Sequence, residues 1–120
     1  MHIPIRKLRL LRYRQQAFKK QKGRCYYCDV PMWLGNIDEF AGNFGMKESD
    51  MKRFQCTAEH LIARQDGGTD DRGNIVAACL YCNSTRHQAS EALPSNEYRK
   101  HVMRLIRRQE WHPMEFHRML

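Results

Sequence analysis

Two pairs of cysteines in this chain share one spacing, Cys25-Tyr26-Tyr27-Cys28 and Cys79-Leu80-Tyr81-Cys82. Each such turn can offer two thiolates to one ion, and Zn²⁺ takes four tetrahedral ligands, so the two turns together predict one closed, structural zinc. A lone pair would equally fit a redox motif. Cys56 stands apart and reads as a small buried strand residue. A second set of chemically able residues lies around the later pair: Glu59, His60, Asn83 and His87. Asn83 and His87 are four apart, so on a helix they share a face and can approach one small ion. Glu59 offers the hard oxygen that Mg²⁺ prefers. His60, with an ordinary histidine pKa of about 6.5, can work as a base near neutral pH. Each has a plainer alternative: Asn83 as a helix cap, Glu59 as an exposed strand acid and His87 as part of a polar helix face. The other histidines, His2, His101, His112 and His117, read as surface residues. Tyr26, Tyr27 and Tyr81 read as packing around the zinc.

The elements that must hold these residues follow from periodicity and punctuation. Residues 6–22 predict a helix, with Leu11, Arg14 and Phe18 on one face and Gly23 as its stop. Residues 31–50 are broken by Pro31, Gly35, Gly42 and Gly45, with Trp33, Phe40 and Phe44 as apolar anchors, and predict a partly ordered insertion. A strand over 54–62, a loop over 65–73 and a second strand over 75–78 come next. A helix over 79–93 ends before Pro94, and a last helix, capped by Ser95 or Asn96, carries Tyr98, Val102, Leu105 and Ile106 on its apolar face. The fold class is therefore α+β in a single domain over residues 1–120: a basic helix in 1–24, a core in 25–93 with an insertion near 29–55, and a helix with a tail in 94–120.

Charge defines the partner. Lys and Arg number 21 against 13 Asp and Glu, a formal charge of +8. From Arg6 to Arg24 there are nine basic residues and no acid; acids cluster between Asp38 and Asp71, and bases return from Arg99 to Arg108. Basic ends around an acidic middle suit phosphate contacts beside a cation site. Arg12, Arg14, Lys19, Lys20, Arg64, Arg86, Arg104 and Arg107 are the candidate contacts, Arg86 having a solvated helix position as its alternative. No stretch is apolar enough to span a membrane, and the basic start is not followed by the apolar run of a signal peptide. The expected address is cytoplasmic, where reduced thiols favour metal over disulfides.

The runs Glu59-His60-Leu61-Ile62, Asp66-Gly67-Gly68, Gly73-Asn74-Ile75-Val76 and Cys79-Leu80-Tyr81-Cys82-Asn83 resemble the HNH endonuclease motif, the ββα-metal nuclease fold in its zinc-knuckle form. The resemblance covers about residues 23–87 outside the insertion. It implies that His60 is the general base, that Asn74 orients it, that Glu59 and Asn83 hold a catalytic ion, and that His87 is a further ligand found in some members. Asn74 alternatively only turns the loop. Glu59 departs from the Asp frequent at this place. The expected activity is metal-dependent hydrolysis of phosphodiester bonds, of DNA in preference to RNA. His60 would activate water, and one Mg²⁺ or Mn²⁺ would stabilise the phosphate and the leaving oxygen. A non-catalytic nucleic-acid-binding module and an RNA-directed toxin or defence nuclease are the alternatives. A homodimer through the last helix and Trp111, Met114, Phe116 and Met119 would allow both strands to be cut.

Overall fold

A computed structural model describes residues 3–45 and 47–117. The elements run α1 (Ile5–Lys20), α2 (Ile37–Phe44), α3 (Glu48–Met51), β1 (Cys56–His60), β2 (Ile75–Cys79), α4 (Leu80–Gln88), α5 (Ser95–Arg107) and α6 (Met114–His117). β1 and β2 pair antiparallel, from Cys56 opposite Cys79 to His60 opposite Ile75. α4 follows β2 without a linker, because the Cys79 thiol caps it by accepting the Cys82 N–H. The unit β1–β2–α4 gives the α+β class expected from the sequence.

α1 lies across both strands. Its C-terminal neighbour Gln21 locks it there. The Gln21 amide donates to the Ala77 carbonyl at 2.8 Å and accepts the Ala77 N–H at 2.9 Å, as a neighbouring strand would. The same carbonyl accepts the N–H of Tyr26 at 3.0 Å, which sets the first cysteine turn against β2. The two cysteine pairs, far apart in sequence, are thus brought together by one strand edge.

Strand alternation separates the neighbours Glu59 and His60. Thr57 and Glu59 bond to side chains of α4, whereas His60 bonds to Asp70 in the loop between the strands. That loop depends on Gly67 and Gly68. Gly67 has φ +91°. A Cβ on Gly68 would lie 1.7 Å from the Ile62 carbonyl oxygen, so only glycine permits this approach.

Several elements differ from the sequence reading. The strand expected over 54–62 is shorter, because Phe54 belongs to a tight helical turn and the chain bends after His60. The helix expected to Leu93 ends at Gln88. The Leu93 carbonyl is drawn back to accept a hydrogen bond from Arg86 at 3.1 Å. Neither Ser95 nor Asn96 caps α5; Pro94 holds the cap position, and its carbonyl accepts the Tyr98 N–H. Within the insertion the described residues include α2 and α3. Phe40, Met51 and Phe54 are buried in the core, and the Trp33 indole donates to the Met51 carbonyl at 2.7 Å.

The tail also packs inward. Trp111 and Phe116 are buried, and Tyr98 and Val102 of α5 join the same core with Leu105 and Ile106 packed against it. The face expected to form a dimer is therefore used within the chain; Met114 is exposed, and Met119 lies outside the described residues. His112 and His117 are buried, not surface residues. Arg53 donates to His112 Nδ1 at 2.8 Å, and His117 Nε2 accepts the His112 backbone N–H at 3.1 Å. Burial, helped by the Arg53 charge, pushes His112 down to about 3. His101 is half-buried with its ring edge-on to Trp111, and His2 lies outside the described residues. Among the described residues no helix is long and apolar enough to cross a membrane.

Candidate active site

The four cysteines of the two pairs are all buried, and their sulfurs lie within 4.8 Å of one another. Cys28 Sγ and Cys79 Sγ are 3.9 Å apart. Zn–S bonds of about 2.3 Å in a tetrahedron place sulfurs about 3.8 Å apart, so this donor set fits zinc. The surroundings favour thiolates. Backbone N–H groups of Tyr27 and Cys79 point at Cys25 Sγ at 3.4 and 3.3 Å, and the Trp111 indole N–H points at Cys82 Sγ at 3.3 Å. Burial opposes charge on Cys25, yet hydrogen bonds from the other three thiols hold it well below its ordinary value. Cys28 and Cys82 are pushed up, by burial first and then by their neighbours. A cation held among the four sulfurs would favour the thiolate form of them all.

A separate cleft of about 270 Å³ is lined by Ala58, Glu59, His60, Ala63, Arg64, Gln65, Asn83 and His87. Five residues singled out in the sequence, Glu59, His60, Arg64, Asn83 and His87, therefore line one cleft. Glu59 is only 1 % exposed, which removes the reading as an exposed strand acid. Its Oε1 is 2.9 Å from His87 Nε2. Its Oε2 accepts from the Tyr27 hydroxyl at 3.0 Å and from Arg86 at 3.1 Å. Burial, with the Glu59 charge beside it, pushes the Tyr27 phenol above its ordinary range, so it remains a donor.

Asn83 points its amide nitrogen at Thr57 Oγ1, 3.0 Å, and at the Ala58 carbonyl, 3.2 Å. A carbonyl can only accept, so the NH₂ must face it and Oδ1 is left as the free acceptor. Thr57 in turn donates to the Ala78 carbonyl at 2.6 Å, which ties α4 to both strands. The cap of α4 is Cys79, not Asn83.

His60 Nε2 sits 2.8 Å from Asp70 Oδ1, and the second oxygen of Asp70 accepts from Arg6 of α1. The Arg6 hydrogen bond and then that of His60 hold the Asp70 carboxyl down at about 2. Asn74 does not touch the imidazole ring through its side chain. Its amide donates to the Ile62 and Thr69 carbonyls at 3.1 and 2.8 Å and accepts the Ile62 N–H at 2.8 Å. Its backbone carbonyl accepts the Leu61 N–H.

The basic residues separate into three groups. Arg12, Lys19, Lys20, Arg64, Arg104 and Arg107 are exposed. Arg14 is half-buried. Arg86 is 4 % exposed and is corrected from a phosphate contact to an internal anchor. Beyond Glu59 and Tyr27 it donates to the carbonyls of His60 at 2.9 Å, Leu61 at 3.0 Å and Leu93. Sequence reasoning missed Asp70, and it missed the roles of Arg86 and Tyr27 as partners of Glu59. A signal for Arg86 did exist: Cys82 must face inward, and the position four later on the same helix face is Arg86. A separate groove of about 380 Å³ runs along α5, lined by Tyr26, Asn96, Arg99, Lys100, Met103 and Arg107, with the Arg99 guanidinium 4.8 Å over the Tyr26 ring.

Residues 47–89, which hold β1, the glycine loop, β2 and α4, match the HNH endonuclease family model. That segment is similar to an HNH endonuclease domain. The four-cysteine cluster, half of it contributed from outside that segment by Cys25 and Cys28, is consistent with a zinc knuckle beside it. No curated protein and no solved structure matches the chain.

Proposed function

We propose that the protein is a metal-dependent endonuclease that hydrolyses phosphodiester bonds of DNA, with His60 as the base that takes a proton from the attacking water. The observation that carries this reading is the cleft that gathers His60, Glu59, Asn83 and His87 inside the matched domain. Glu59 Oε1 and His87 Nε2 are 2.9 Å apart, close to the spacing of about 3.0 Å between adjacent ligands of an octahedral ion with bonds of about 2.1 Å. With the free Oδ1 of Asn83 they fit a divalent ion, Mg²⁺ or Mn²⁺. Bound there, it would supply Lewis-acid stabilisation of the phosphate and the departing oxygen. One of the three ligands is an imidazole and the single carboxylate is shared with Arg86, a set that suits Mn²⁺ better than Mg²⁺.

The chain's own residues do the rest. Arg86 pairs with Glu59 Oε2, which leaves Oε1 on the His87 side of the carboxylate, at the cleft. The pinned amide of Asn83 keeps Oδ1 pointing there too. Arg64 at the cleft wall attracts the phosphate without reading sequence. Proton removal by a positioned histidine contributes about 10²–10⁴-fold. His60→Ala is therefore expected to lower plasmid cleavage in Mn²⁺ by about that factor, while binding measured in EDTA is kept. Plasmid that stays intact with wild-type protein in either metal would favour a module that binds without cutting.

The groove along α5 extends the contact to the backbone. Replacing Arg104 and Arg107 together by Glu is expected to weaken DNA binding and to flatten its salt dependence by roughly 0.9 in log–log slope for each phosphate that is no longer neutralised. An unchanged slope would leave α5 with packing alone.

A further inference from the structure

We propose that Asp70 is a positioning residue that fixes the His60 imidazole with its Nε2 bound to the carboxylate, leaving Nδ1 to accept the proton from water, and that Arg6 of α1 steadies that carboxylate. The proposal rests on the nuclease reading of the cleft. The His60–Asp70 contact is 2.8 Å between side chains only 15 % and 17 % exposed. An ionised carboxylate has no hydrogen to give, so Nε2 must carry it. A neutral imidazole has one nitrogen with a free lone pair, and that nitrogen is then Nδ1. Once Nδ1 has taken a proton the ring is a cation, and Asp70 lies where it can offset that charge.

The loop is built to hold Asp70 still. Asn74 clamps both backbone groups of Ile62 and the carbonyl of Thr69, the residue just before Asp70. The Gly68 N–H donates to the Ala63 carbonyl at 3.0 Å. Asn74 thus reaches His60 through the loop and Asp70. The N-terminal basic helix gains a job besides attracting phosphate, since Arg6 is the third member of the line Arg6–Asp70–His60.

A plain surface ion pair between Arg6 and Asp70 contributes little to stability, and a purely local role would leave turnover alone. The test uses the zinc-loaded full chain and two readouts. For cleavage of a DNA duplex, Asp70→Ala is expected to lower kcat about 100-fold. KM should stay within about threefold, with zinc content and circular dichroism unchanged, because neither binding nor the knuckle is touched. Asp70→Glu should recover part of the loss, and Arg6→Gln should cost less than Asp70→Ala. The second readout is the ¹⁵N shifts of the His60 ring, taken about two units above the ordinary pKa of about 6.5. Wild type should show the proton on Nε2, and Asp70→Ala a mixture of tautomers. A wild-type ring protonated on Nδ1 would overturn the proposal, as would Asp70→Ala with wild-type kcat or with a loss confined to KM. If wild type fails to cut, the nuclease reading fails first, and the ring shifts still decide whether Asp70 sets the tautomer.

Discussion

Cys82→Ser is expected to yield a chain that retains no zinc and does not fold. Zinc held by four thiolates contributes about 10–16 kcal/mol of apparent binding energy, which in such sites is folding energy. A domain of this size has a total stability of about 5–15 kcal/mol, so losing the ion exceeds or equals what it has. Cys82 carries more than one sulfur–zinc bond. Its Sγ takes the indole N–H of Trp111, and its backbone carbonyl takes the Tyr98 hydroxyl at 2.7 Å. The knuckle is thus the dock for α5 and the tail. Cys56→Ser is the control. Cys56 is fully buried opposite Cys79 in the sheet, and burial pushes its thiol up to about 12, so it is a neutral core residue. That variant should keep about one zinc per chain and lose only the roughly 1–3 kcal/mol of an added buried hydroxyl. Metal analysis with far-ultraviolet circular dichroism decides. Cys82→Ser with wild-type zinc content and a cooperative melt would remove Cys82 from the knuckle.

The parts of this molecule that sequence made legible are those where chemistry dictates spacing. A tetrahedral ion needs paired thiolates, so Cys25, Cys28, Cys79 and Cys82 identified themselves. The i, i+4 spacing of Asn83 and His87 placed both on the cleft side of α4, where they are found. The short strand β2 between the glycine-rich loop and the second cysteine pair was readable because Ile75-Val76-Ala77-Ala78 leaves little else. What stayed hidden depends on partners distant in sequence. Asp70 is one acid among several in its loop, and only the fold puts Arg6 and His60 on either side of it. His112 and His117 look like any isolated histidines until the tail folds back onto Arg53 and Phe54. The helices of the insertion stayed hidden because α2 and α3 are too short for periodicity to show, and their stability comes from Phe40, Met51 and Phe54 in a shared core. Arg86 misled most. Charge statistics place an arginine on the surface, and here the statistic lost to geometry.

That geometry makes Arg86→Leu the substitution with the largest expected effect outside the knuckle. Arg86 and Glu59 have side chains 3 % and 2 % exposed. Leu fills much of the volume but supplies no donor. Glu59 would then keep a buried charge with only Tyr27 and His87 beside it, and the carbonyls of His60, Leu61 and Leu93 would lose their partner. Breaking a buried ion pair from one side costs about 3–5 kcal/mol, mostly through the charge left behind. For a chain of this length that is a fall in Tm on the order of 10–20 °C at fixed zinc concentration. Lysine should not rescue it, since a single ammonium cannot reproduce a fork that serves three backbone carbonyls, a phenol and a carboxylate. The double variant Arg86→Leu with Glu59→Gln should recover part of the loss, because the unpaired charge has gone. A phosphate contact would behave in the opposite way: Arg86→Leu would melt like wild type and bind DNA less well. Thermal melts and salt-dependent binding on the same samples separate the two. A single variant within about 1 kcal/mol of wild type would mean that Arg86 is not the anchor of Glu59. The anchor matters for function because the same guanidinium that neutralises Glu59 also grips the backbone of His60. One buried cation therefore holds both the metal-side carboxylate and the strand end that carries the base.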